Sequence, residues 1–211
     1  MIRRVFTLLA FAAVAGGPSL AVPVRAADPG PLFSRMTHVN AGLRSYEADV
    51  TVAIETHGFP YLSPTLQGRA FYERPDRTAV QFDAVPAIAS QLKNVVAQIP
   101  PPAEWPALYE IAPTGDDGTT ATFRLVPRKA GRVDHVDVTV DDATATVTGM
   151  RYAYKDGGTV SFTQSYDRIG GAYVVARQVG KVEIPHYSAD VVSTFANYRL
   201  NVAIPEAVFA E

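Results

Sequence analysis

The sequence contains no cysteine. That excludes disulfides, thiolate metal sites, a cysteine nucleophile and a lipidated thiol, so stability rests on a packed core alone. No apolar run reaches the roughly 20 residues that a membrane-spanning helix needs. Catalytic signatures are equally scarce. No G-x-S-x-G elbow occurs and no H-E-x-x-H pair. The four histidines, His38, His57, His135 and His186, stand far apart without metal-ligand spacing. Asp134, Asp137, Asp141 and Asp142 crowd one hairpin but lack the spacing of a calcium loop. The chain is therefore expected not to be an enzyme, to need no cofactor and to hold no metal.

What is present begins with an export signal. Arg3 and Arg4 precede an apolar stretch from Val5 to Ala15, and Val24-Arg25-Ala26 supplies the small residues of a cleavage site. Residues 1–26 are expected to be removed, leaving one domain, 27–211, in the periplasm or, alternatively, secreted. No integral membrane segment is expected after that cut. Losing Arg3, Arg4 and Arg25 leaves 16 basic residues against 21 acidic ones, a net charge of −5. An acidic chain without a basic cluster is a poor ligand for a phosphate backbone, so nucleic acid is not an expected partner.

The mature chain reads as mainly β. In "YEADVTVAIET", Tyr46, Ala48, Val50, Val52 and Ile54 alternate with Glu47, Asp49, Thr51, Ala53 and Glu55, the pattern of a half-buried strand. "LQGRAFYE" and "TAVQFDA" follow, joined by a turn at Arg74-Pro75-Asp76-Arg77. From Ala107 the strands are "TATFRLVP", "VDHVDVTV", "TATVTGMRYAYK", "TVSFTQSYDR", "AYVVARQVGKVEI" and "ADVVSTFANYRLNV", separated by Gly- and Asp-rich turns. Short connections imply antiparallel neighbours in a meander. Such a sheet must close or be covered.

Two helical patterns can supply the cover. Leu32, Met36, Val39 and Leu43 share a helix face, with Gly42 near the expected C-terminal cap. Val85, Ile88, Ala89, Leu92, Val95, Val96 and Ile99 form the second stripe, over about Pro86 to Gln98, which Pro100, Pro101 and Pro102 terminate. The expected architecture is an incomplete antiparallel β-barrel of about nine or ten strands covered by two short helices. Its interior is either filled by side chains or open to a ligand. Small inward residues such as Ala48, Gly68, Ala70, Ala145, Ala153 and Ala196 leave volume. An acyl chain is the apolar ligand that a cell envelope offers. Val50, Val52, Ile54, Phe82, Ile88, Leu92, Val95, Val96, Met150, Tyr152 and Phe162 are the candidate lining. Phe59, Tyr61 and Leu62 in "HGFPYLSPT" either rim the mouth or fold back onto the sheet.

The order of these features resembles the LolA-like and LolB-like lipoprotein carriers and the related outer-membrane lipoprotein-sorting proteins. The matching segments are "LRSYEADVTV", "GRAFYERPDRTAVQF", the lid-like helix, "MRYAYKDGGTVSFTQSY" and "NYRLNVAIPEAVF", nearly all of the mature chain. The resemblance implies an unclosed barrel whose helices form a lid over a cavity for acyl chains of lipoproteins or other lipids. It implies donor and acceptor proteins at the inner and outer membranes. By motif, Arg74 is the arginine that latches the lid; the alternative is an ordinary turn residue. Here Phe82-Asp83-Ala84-Val85 runs straight into the helix, without the strand pair the carriers usually place there, which implies a more open barrel. A second implied function is a non-catalytic envelope sensor or scaffold that binds a protein partner, as sigma-regulating relatives of the carriers do.

Overall fold

A computed structural model describes residues 30–58, 61, 63–84 and 100–209. The expected export signal at 1–26, the expected helical stripe carrying Ile88, Leu92, Val95 and Val96, and the loop residues Phe59 and Leu62 lie outside the described residues.

A short helix α1 (Gly30–His38) leads into ten strands: β1 (Ser45–Thr56), β2 (Thr65–Glu73), β3 (Arg77–Phe82), β4 (Tyr109–Asp116), β5 (Thr120–Pro127), β6 (Val133–Asp141), β7 (Thr146–Tyr154), β8 (Thr159–Ile169), β9 (Ala172–Ile184) and β10 (Tyr187–Leu200). A four-residue helix α2 (Trp105–Leu108) precedes β4. All strands belong to one antiparallel sheet in the order β3-β2-β1-β10-β9-β8-β7-β6-β5-β4. The sheet does not close, and it forms the incomplete barrel that alternation and turn spacing call for.

The meander has one discontinuity. β1 pairs with β10, so the last strand returns beside the first, and β3 and β4 become opposite edges. The chain between Phe82 and Tyr109 therefore joins one edge of the sheet to the other.

Two local expectations are corrected. The opening helix stops at His38 rather than continuing through Leu43, and Gly42 is not its cap. Turns replace the last predicted residues, with Ala41 N donating to His38 O and Leu43 N to Asn40 O. Asn40 explains the early stop: its side chain is committed to the backbone of Tyr173, a bond that competes with helix continuation. β4 was not legible as a strand because Pro113 and Gly115 interrupt it. Proline is tolerated there because β4 is an edge, and the register shifts between Pro113 and Gly115.

The main core lies on the inner face of β5 to β8. Phe123, Leu125, Val136, Val138, Val140, Met150, Tyr152 and Phe162 pack with Phe33 and Met36 of α1 and with Trp105. Trp105 is fully buried, donates from Nε1 to Pro100 O at 2.8 Å and meets the Phe33 ring at 6.1 Å. A second, smaller cluster joins Ile54, Leu66 and Ala189 with half-buried Val52, Phe82, Tyr187 and Val191. The outer face is charged instead, with Glu47 on β1 holding both Arg69 and Arg199.

Candidate functional site

Strand register decides what the inner face looks like. One row runs Thr56, Ala189, Val182, Val160, Tyr152, Val136, Leu125, Ile111 across eight strands. The next runs Ile54, Val191, Gly180, Phe162, Met150, Val138, Phe123. A third runs Leu66, Val52, Ser193, Gln178, Gln164. None of these residues is charged. The trough they form is apolar over two rows, save for Thr56 at the β1 end of the first, and polar in part of the third.

The sequence-predicted lining separates within this trough. Met150, Tyr152 and Phe162 are buried in the main core beneath α1 and Trp105. Val52, Ile54 and Phe82 stand in the second cluster, on the β1–β3 side. Val50 is buried beside Gly68, with Phe195 opposite on β10. The two clusters meet along the middle row at Gly180, which presents no side chain between Phe162 and Val191. Gly68 has a different reason to be glycine: a Cβ there would lie 2.1 Å from Gln81 O, so β3 crosses β2 closely at this point.

A cavity of about 200 Å³ opens between α1, the Pro100–Pro102 run and the sheet. Met36, Trp105 and Ala145 give it apolar walls, while Gln164 and Tyr166 give it a polar one. Gln164 Nε2 donates to Val147 O at 2.7 Å, and Tyr166 OH donates to the same carbonyl at 2.6 Å. Burial pushes the Tyr166 phenol well above its ordinary range, so it acts as a neutral donor. At the other end of the sheet a wider hollow of about 550 Å³ is lined by His57, Asp156, Glu183, His186 and Ser188.

Arg74 sits in the β2–β3 turn, and its Nη2 donates to Asn40 O at 2.6 Å. Its described partner is thus the backbone just after α1. Tyr61 is 77 % exposed. His57 faces Asp190 at 2.9 Å, His135 lies between Asp134 and Asp137, Asp141 caps Thr144, and Asp142 pairs with Arg35. Among the described residues no group of three His, Cys, Asp or Glu side chains is placed to hold a metal. No described helix is long and apolar enough to cross a membrane. One short motif, Ser90-Gln91-Leu92-Lys93, has S-x-x-K spacing but lies outside the described residues, and its S-D-N and K-T-G companions do not occur in the sequence.

Sequence reasoning missed Gln164, Gln178 and Ser193. The signal was available: each is a polar residue in the apolar phase of its strand, as in Val160-Phe162-Gln164 and Val191-Ser193-Phe195. It also missed Trp105, the single tryptophan, directly after the proline run.

No protein-family model matches the chain, and no curated protein matches it. Solved structures do. A DUF1329 family protein from Desulfovibrio piger superposes with a TM-score of 0.66 at 15% identity, covering 84% of this chain and 94% of that one. A domain assigned to outer membrane lipoprotein sorting, from Vibrio parahaemolyticus, gives a TM-score of 0.66 at 10% identity, covering 85% and 94%. A LolA superfamily protein from Nitrosomonas europaea gives 0.61 at 10% identity, covering 85% and 96%. At 10–15% identity these likenesses show the fold alone, and the fold of this unclosed ten-stranded sheet is LolA-like.

Proposed function

We propose that this protein is a periplasmic carrier that buries the acyl chains of lipoproteins or other lipids in its trough. The observation that carries the reading is the pair of uncharged inner rows crossing the sheet from β1 to β5, with Gly180, which has no side chain, standing between the two apolar clusters. Each methylene moved from water into such a trough gains about 0.8 kcal/mol, before the costs of ordering the ligand. The stripe of Ile88, Leu92, Val95 and Val96, amphipathic by sequence, belongs to the segment that joins the sheet's two edges and is the proposed cover. Val50, Val52, Ile54 and Phe82 are the proposed contacts, with Met150, Tyr152 and Phe162 as the packed floor. Arg74 is the proposed latch, acting through Asn40, and Tyr61 stands at the proposed rim with Phe59 and Leu62. The LolA-like fold and the lipoprotein-sorting assignment of one neighbour support the reading.

Displacement of a solvatochromic dye, N-phenylnaphthylamine, by a triacylated lipopeptide tests it. Saturable displacement is expected, and the unacylated peptide should displace nothing. A dye that never binds, or that both peptides leave in place, argues against the carrier. The solid packing of Met150, Tyr152 and Phe162 favours a second reading, a non-catalytic envelope scaffold that binds a protein partner. That reading is the one left standing by a failed displacement.

A further inference from the structure

We propose that the polar stripe Gln164–Gln178–Ser193 binds the carbonyl of an ester- or amide-linked acyl group, so that the trough selects neutral acyl lipids over bare hydrocarbon and over carboxylates. This rests on the carrier reading above and adds the chemical class of its ligand.

The stripe crosses three adjacent strands in register, Ser193 opposite Gln178 and Gln178 opposite Gln164. Its neighbours along the same row are Val52 and Leu66, and the next row over is apolar. Polar side chains in such a place cost free energy unless something pairs with them. Gln164 is committed at its amide nitrogen, donating to Val147 O and to Tyr166 OH at 2.5 Å. Its Oε1 accepts a long bond, 3.3 Å, from Gln178 Nε2. Gln178 has an amide oxygen and a second N–H left over, and the Ser193 hydroxyl makes no bond to a described residue although Ser193 is only 8 % exposed.

None of those free groups lies sealed in protein, since no fully enclosed side-chain polar atom lacks a partner among the described residues. By strand phase they share the inner face with Val191, Gly180 and Phe162. A hydroxyl and an amide N–H on neighbouring strands offer two donors to one carbonyl oxygen. No cation stands on any of the three inner rows, so a carboxylate or phosphate brought there would be desolvated without compensation. A neutral carbonyl is the group that fits. An acyl chain leaving that carbonyl can run along the Val191–Gly180–Phe162 row or into the cavity beside Gln164. That cavity has room for about six or seven water-sized groups at roughly 30 Å³ each.

The test measures displacement of N-phenylnaphthylamine from the whole mature chain by methyl palmitate, sodium palmitate and octadecane. It uses the wild type, Ser193→Ala, Gln178→Leu and the double variant. In the wild type the ester should displace dye at a concentration roughly tenfold below that of the alkane, the scale of one or two net hydrogen bonds. The palmitate anion should also trail the ester. In the double variant the ester and the alkane should come within about twofold of each other. Ser193→Ala removes a single oxygen and should halve or better the preference even if Gln178→Leu folds poorly. A wild type that treats ester and alkane alike, or a preference that survives Ser193→Ala unchanged, overturns the stripe's role and leaves the carrier intact. A wild type that binds no dye and none of the three competitors overturns the carrier reading itself, and the stripe's role with it.

Discussion

Asn40 grips Tyr173 with both of its side-chain polar atoms. Oδ1 accepts the Tyr173 N–H at 2.9 Å and Nδ2 donates to the Tyr173 carbonyl at 2.8 Å, while the Asn40 carbonyl accepts from Arg74 at 2.6 Å. The end of α1 is thereby tied to β9 on one side and to the β2–β3 turn on the other. Because the Asn40–Tyr173 bonds are partly buried, Asn40→Ala leaves two backbone groups of β9 without partners, and about 1–3 kcal/mol of stability should be lost. Arg74→Ala removes one exposed bond and should cost less, about 0.5–1.5 kcal/mol. Urea midpoints of the two variants check the ranking. If Arg74 latches the cover through Asn40, its variant should also release bound dye faster than wild type. Equal release rates would leave it a turn residue.

Gly180 stands where the two apolar clusters meet. A Cβ added there would lie 3.6 Å from the Val191 Cβ and 3.7 Å from two carbonyl oxygens, ordinary contact distances. Gly180→Ala should fold and bind dye much as wild type does. Gly180→Phe should put a ring across the proposed path of the ligand, keeping the native circular dichroism while weakening dye binding at least tenfold. Undiminished binding by the phenylalanine variant would place the ligand elsewhere.

Trp105 serves as a built-in reporter. It lines the 200 Å³ cavity, contacts Phe33 and is 1 % exposed. Its emission should be blue and resistant to acrylamide in the folded protein, and should red-shift fully on unfolding. Trp105→Ala removes the largest side chain of the main core, at a cost of about 3–5 kcal/mol by thermal or chemical melting. A loss under about 1 kcal/mol would mean that α1 does not depend on it.

Tyr46 carries a pH dependence. Burial first, and the neighbouring Tyr72 second, push its phenol up from 10.0 to about 12. Its ring stacks on Tyr72 at 5.4 Å and meets the edge of Tyr198 at 5.3 Å. A folded value above the unfolded one means that the stabilisation is complete below pH 10 and disappears as pH rises from 10 through 12. Denaturant midpoints should therefore fall steeply across that window, less so in Tyr46→Phe. A tyrosinate absorbance that rises fully near pH 10, with no loss of stability, would contradict the burial of this cluster.

Much of this architecture was legible because strand alternation is a local signal. Tyr46 to Ile54 and "AYVVARQVGKVEI" read as strands from period two alone, and the glycine and aspartate pairs marked their turns. Local signals fail where a distant partner decides the outcome. The helix ended at His38 because Asn40 reaches a backbone 133 residues away. Pro113 hid β4, since only its edge position excuses the missing N–H. The inner rows depend on the register among β8, β9 and β10. Gln164, Gln178 and Ser193 therefore looked like isolated interruptions in three strands rather than one stripe. Met150, Tyr152 and Phe162 faced inward as their phase implied. What the sequence could not say was that α1 and Trp105 come down on top of them.

The central claim is that the inner face holds more apolar room than its own side chains occupy. Native mass spectrometry of the protein purified without detergent, followed by organic extraction and lipid mass spectrometry, addresses it most directly. The account predicts a fraction carrying one extra mass that resolves into ester- or amide-linked acyl lipid, reduced in Gly180→Phe. Protein that emerges ligand-free in repeated preparations, and that takes up no acylated lipid when offered it, would contradict the account.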